Sequence, residues 1–144
     1  MKRINVILLL LAVSLMFTGN LFSQENKSSY YTVTTWKIKS PDDGSRKEFL
    51  DMMKEWHQKV TMKNSKILSE RSMFHQSGSD MRDFVVITEY ASWENIAAAN
   101  KEQDKLVEEG WPDKEERQAF MKRFFQYAET HSDEICQDVP SLRK

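Results

Sequence analysis

From Tyr30 to Lys39 the chain alternates β-branched and aromatic side chains between two faces, with Thr32, Thr34, Trp36 and Ile38 on one and Tyr31, Val33 and Thr35 on the other. That period of two predicts a strand. Pro41-Asp-Asp-Gly44 ends it as a turn. The period then lengthens. Phe49, Met53, Trp56 and Val60 recur at helical spacing behind Ser45-Arg-Lys-Glu48, which has the form of a capping box, and Asn64-Ser65 closes the helix. His57 falls at the margin of that stripe. Lys66 to Gln76 and Arg82 to Tyr90 return to strand character on either side of Ser77-Gly-Ser-Asp80, predicting an antiparallel hairpin. In the first of these strands Leu68 and Phe74 share one face, and Ile67, Arg71, Met73 and His75 the other. In the second, Phe84, Val86 and Tyr90 oppose Val85 and Ile87.

At Ser92 strand residues give way to helix formers, and a serine there is placed to cap a helix from Trp93 to about Glu108 that turns Ile96, Ala99, Leu106 and Val107 inward. Gly110 and Pro112 stop it. Asp113-Lys-Glu-Glu116 opens a third helix with Phe120, Phe124 and Tyr127 as its stripe and Met121, Phe125 and Ala128 alongside. His131 to Val139 reads as a last strand, with Pro140 ending it and a loose basic tail at 141–144. The order strand, helix, strand, strand, helix, helix, strand predicts one α+β domain over 30–140. It is ferredoxin-like, a four-stranded antiparallel sheet with its helices on one face.

Such a sheet leaves its second face to water or to a partner. Here strands one to three carry aliphatic and aromatic side chains on both faces. A large aromatic buries roughly 150–250 Å², an upper figure of about 4–6 kcal/mol, so open exposure is costly and a homodimer closing sheet on sheet is expected.

The first residues have another purpose. Lys2 and Arg3 precede an apolar run from Val6 to Phe17, shorter than a bilayer span, and Gly19 to Gln24 supplies small residues for cleavage after Ser23. The expectation is a signal peptide over 1–23, with an uncleaved anchor as the alternative, a disordered lead-in at 24–29, and an exported protein, periplasmic or secreted, with no membrane association after cleavage. The leader holds two basic residues and no acidic one, so the mature chain is more acidic than the formal −1 of the whole. Nothing in that balance attracts nucleic acid. Cys136 is the single cysteine, which excludes an internal disulfide; a small buried residue on the last strand is expected, with an intermolecular disulfide or a reactive thiol as the alternatives.

Glu89-Tyr-Ala-Ser-Trp93-Glu-Asn-Ile, at a strand-to-helix junction, together with the order of elements, resembles the dimeric α/β-barrel superfamily, nearest to its antibiotic-biosynthesis-monooxygenase-like and stress-responsive barrel domains. The resemblance spans Tyr30 to Pro140. It implies the ferredoxin-like fold and a dimer; family members include cofactor-independent oxygenases, haem-degrading enzymes and isomerases. The haem-degrading members pair such a tryptophan with an asparagine on the first strand and a histidine in the following helix. This chain has neither, since Gln103 and Leu106 occupy that region of the helix.

Chemistry-bearing residues are sparse. His57, His75 and His131 show no metal-ligand spacing; only His131 and Asp133 lie two apart, with His75 as a conceivable third ligand, and ordinary histidines are expected instead. Asp133-Glu134 and Glu108-Glu109 diverge and form no acid–base dyad. No nucleophile elbow, phosphate loop or dinucleotide fingerprint is present. Trp36, Tyr90 and Trp93, with Arg71 and His75, are the candidate lining of a ligand pocket, against the competing reading of core and interface packing. No cofactor is expected. Three functions are compatible with this: an exported barrel binding a small apolar ligand, a cofactor-independent monooxygenase-like enzyme acting on an aromatic substrate, and a structural or interaction protein.

Overall fold

The computed structural model describes residues 28–143. The leader and residues 24–27 of the lead-in lie outside them. Four strands, β1 (Tyr30–Ile38), β2 (Ser69–Phe74), β3 (Asp83–Tyr90) and β4 (Ala128–Gln137), form one antiparallel sheet in the order β2-β3-β1-β4. Three helices, α1 (Arg46–Lys59), α2 (Trp93–Gly110) and α3 (Lys114–Tyr127), pack on one face. The fold is the expected ferredoxin-like α+β arrangement with an added third helix.

Alternation decides which side chains meet the helices. Trp36 and Ile38 of β1, Phe74 of β2 and Phe84 and Val86 of β3 all pack with Phe49, Met52 and Tyr127 in the main core. A second core joins Val60, Leu106 and Trp111. The α1 stripe therefore runs through Met52 as well as Phe49 and Val60, while Met53 and Trp56 are only half-buried.

The turn before α1 is closed by a bond from Gly44 N to Pro41 O at 2.9 Å, and any side chain at Gly44 would run into the Tyr127 hydroxyl and the Pro41 ring. Ser45 then caps α1 by accepting from Glu48 N. Beyond α1 a 3-10 turn (Thr61–Lys63) leads to Asn64, whose buried amide donates to Ala99 O at 2.9 Å, and to Ser65, which donates to Glu102. These bonds fasten the end of α1 to α2.

Several expectations are corrected in detail. The second strand begins at Ser69, not Lys66, because Asn64 turns the chain by accepting from Lys66 N; Leu68 is left exposed rather than sharing the face of Phe74. Ser92 occupies the cap position of α2 but accepts no backbone bond there; its hydroxyl meets the Glu94 carboxylate. β4 starts at Ala128, directly from α3, because pairing with β1 already begins at Ile38. Cys136 is exposed, since β4 is an edge strand that the helix layer leaves uncovered. At the sheet's end Ser29 and Asp138 exchange two bonds, Pro140–Leu142 forms a 3-10 turn, and Arg143 pairs with Asp138.

Candidate functional site

Helical spacing places Leu50, Met53, Lys54 and His57 along one flank of α1, and alternation turns Glu70, Ser72 and Phe74 of β2 toward it. Between them lies a half-open cleft of about 320 Å³, with Phe84 of β3 at its base. Leu50, Met53, Phe74 and Phe84 make it apolar. Lys54, His57, Gln58, Glu70 and Ser72 supply its polar groups. Few polar groups on an apolar wall are the usual makings of a small-molecule site.

Glu70 is the chemical centre of this cleft. Its side chain is 15% exposed. One carboxylate oxygen accepts from Thr61 Oγ1 at 3.2 Å and the other from Thr88 Oγ1 at 3.3 Å, both threonines being buried. His57, half exposed at the rim, brings Nδ1 to 3.7 Å from Glu70 Oε1, too long for a hydrogen bond. Lys54 is engaged elsewhere, donating to Asp51 at 3.1 Å. The cleft thus holds a largely buried carboxylate fixed by two hydroxyls, with a histidine close enough to share a proton with an incoming group. Such an arrangement can accept a hydrogen bond from a ligand hydroxyl or amine, and can take its proton.

The five pocket candidates read from the sequence lie outside this lining and are divided by the sheet. Trp36 and Tyr90 face the helices. Trp36 stands edge-on to Phe124 with ring centroids 5.3 Å apart and lies against His131 at 4.2 Å. Tyr90 is buried, its hydroxyl 3.5 Å from Thr32 Oγ1. Trp93 begins α2 at 55% exposure and meets the edge of Tyr30. Arg71 and His75 fall on the opposite side. His75 is held at the β2–β3 hairpin by Asp80 O, with Asp83 3.7 Å away and Gly78 at φ +134° tucked against its ring.

His131 and Asp133 do come together, Nε2 to Oδ2 at 3.1 Å, and Thr34 donates to Asp133 at 2.7 Å. His75, on the other face, does not join them, and among the described residues no three histidine, cysteine or carboxylate side chains are grouped to hold a metal ion. Glu70 is the residue sequence reasoning passed over. Its signal was a lone carboxylate two and four positions from Ser72 and Phe74 on the core-facing side of a strand.

No family model matches the chain, and no curated protein matches it. Solved structures do. The chain is similar to a NIPSNAP family protein from Agrobacterium tumefaciens at 16% identity and a TM-score of 0.55, covering 77% of this chain and 86% of that one. A second NIPSNAP family protein of unknown function from the same organism matches at 15% identity and 0.54, covering 76% and 87%. A putative antibiotic biosynthesis monooxygenase from Caulobacter crescentus matches at 15% identity and 0.52, covering 78% and 92%. At such identities the likeness establishes the fold alone.

Proposed function

We propose that the protein is an exported, homodimeric ferredoxin-like barrel domain that binds a small apolar molecule bearing one hydrogen-donating group. The observation that carries this reading is the α1–β2 cleft, apolar along its walls and ending on the hydroxyl-fixed Glu70 carboxylate. Export rests on the leader at residues 1–23. Dimerisation rests on the helix-free sheet face, where Val33, Val85 and Ile87 stand beside the exposed Met73. The reading requires no cofactor, nucleic acid or membrane.

Small aromatic alcohols and amines, titrated into the mature protein while the methyl resonances of Met53 and Leu50 are followed, test it. Binding should move those methyls. Glu70→Gln should weaken the affinity about tenfold or more, the loss of one hydrogen bond to a charged acceptor. Trp93→Ala, outside the cleft, should leave it unchanged. Methyls unmoved by every compound would overturn the reading in favour of a structural or interaction role.

A second reading has its own support. His57 beside Glu70, facing Phe74 and Phe84, suits proton removal from an aromatic hydroxyl, the kind of step a cofactor-independent monooxygenase-like enzyme needs. Turnover abolished by both His57→Ala and Glu70→Gln, with binding retained in the first, favours the enzyme. Binding without turnover of any aromatic substrate favours the carrier.

A further inference from the structure

The sheet face away from the helices is ordered in rows by the strand register. Arg71 of β2 lies opposite Ile87 of β3, Ile87 opposite Val33 of β1, and Val33 opposite Glu134 of β4. One row thus reads positive, apolar, apolar, negative from edge to edge. The other charges on this face are engaged within the protomer. Lys37 pairs with Asp80 and Asp83, His75 stands by Asp83, and Glu89 accepts from Ser69 at 2.7 Å. Among the described residues, Arg71 and Glu134 are the strand charges of this face with neither a hydrogen bond nor an ion pair. Three strand spacings, about 14 Å, keep them from reaching each other.

A face carrying opposite charges at the two ends of one row is complementary to itself after a half-turn. Two sheets packed face to face can be related by an axis running along the strands or by one running across them. The second sets β2 over β2 and β4 over β4, like charge on like. The first sets β2 over β4, so that both charges find partners while Val33 and Ile87 meet in the middle. Packed sheets lie about 10 Å apart, a gap that an arginine and a glutamate side chain bridge together.

From this, and resting on the homodimer proposed above, we infer that the second copy docks with its two-fold axis along the strands, Arg71 of each protomer facing the partner's Glu134. The occupant of this face is a second copy of the chain, because the row matches its own inverse. Each dimer contains the pair twice.

Sedimentation equilibrium of the mature protein and three variants tests the arrangement. Arg71→Glu and Glu134→Arg should each raise the dimer dissociation constant about tenfold or more by placing like charges together, and the double exchange should return it to within about threefold of the original. Single variants without effect, or a double variant that adds the two losses, overturn the arrangement while the wild-type mass still reports a dimer. A monomeric wild type overturns the dimer and the arrangement together. Cross-linking gives an independent reading in case a charge variant folds poorly. Ser69 and Cys136 end the neighbouring row at opposite edges, through Glu89 and Tyr31. A bis-maleimide spanning about 10 Å should therefore join Ser69→Cys protomers through Cys136, and should fail in Ser69→Cys/Cys136→Ser. Cross-linking of that second protein instead would place β2 over β2 and refute the inference.

Discussion

Glu48 collects more of the protein's polar bonding than any position in the cleft. It accepts from Arg123 Nε at 2.6 Å and Nη2 at 2.8 Å and from the Tyr127 hydroxyl at 2.6 Å, while that hydroxyl accepts from Ser45 N at 2.9 Å. The capping box foreseen at Ser45 and Glu48 is thus completed through a tyrosine 79 residues further along the chain, and Arg123 extends the cluster to Asp43 at 2.9 Å. Arg123 and Tyr127 stabilise the ionised carboxylate and hold it at about 2, down from 4.5. A carboxylate depressed on folding stabilises the protein fully above its unfolded value and loses that contribution as pH falls toward the folded one. The thermal midpoints of wild type and Glu48→Gln should therefore differ most above about pH 5 and converge between about pH 4.5 and 2; a gap independent of pH would show that the charge is not what matters. Tyr127 is wholly buried, so Tyr127→Phe takes the acceptor from Ser45 N and one of the two donors from Glu48 Oε2, which keeps Arg123, at little cost in packing. Denaturant unfolding at neutral pH should register a loss of about 1–2 kcal/mol.

At the scale of elements, two serines in the same kind of position differ in what they contribute. Ser45 accepts Glu48 N at 3.1 Å, whereas the Ser92 hydroxyl serves the Glu94 side chain and leaves the first turn of α2 to other partners. Ser45→Ala should cost about 1 kcal/mol and Ser92→Ala a few tenths, read from paired urea transitions. Residue type and spacing made both positions legible as helix starts, because helical periodicity begins just after each. Which hydroxyl bonds the backbone is a matter of rotamer and neighbours, and short-range pattern does not carry it. The same division runs through the rest of the molecule. The faces of β1 and β3 follow from alternation, and they are as expected. Trp111 falls between Gly110 and Pro112, outside both helical periods, yet it is buried against Val60, Leu106 and Phe120, donates from Nε1 to Glu55 at 3.0 Å, and carries the Lys59 ammonium over its ring. Trp111→Ala should cost about 3–5 kcal/mol in the same urea experiment, the range for emptying a core tryptophan site. The cleft was hidden for a related reason. Glu70 draws its hydroxyl donors from Thr61 and Thr88, nine and eighteen residues away along the chain, and only the β2–β3 pairing and the turn after α1 bring the three together.

In the whole molecule the sheet works as a partition. The cleft lies on its helix side and is lined by α1, β2 and β3 of one chain, whereas the apolar rows proposed to meet a second copy lie on the other side. The pocket candidates drawn from the sequence were spread over both sides because periodicity assigns a residue to a face without saying which face the helices take. Once the helices are placed, ligand binding and assembly become separable. Ile87→Lys puts a charge into the middle of the open face and should yield monomer by sedimentation, while a ligand that moves the Met53 methyl in wild type still binds it within about threefold. Glu70→Gln should do the converse, keeping the dimer mass and losing affinity. If both variants instead lost binding, the ligand would have to reach across the interface, and a site composed of two chains would replace the cleft within one. The partition argues against that outcome, because Glu70 and Ile87 point to opposite sides of adjacent strands and a substitution at one leaves the surroundings of the other in place.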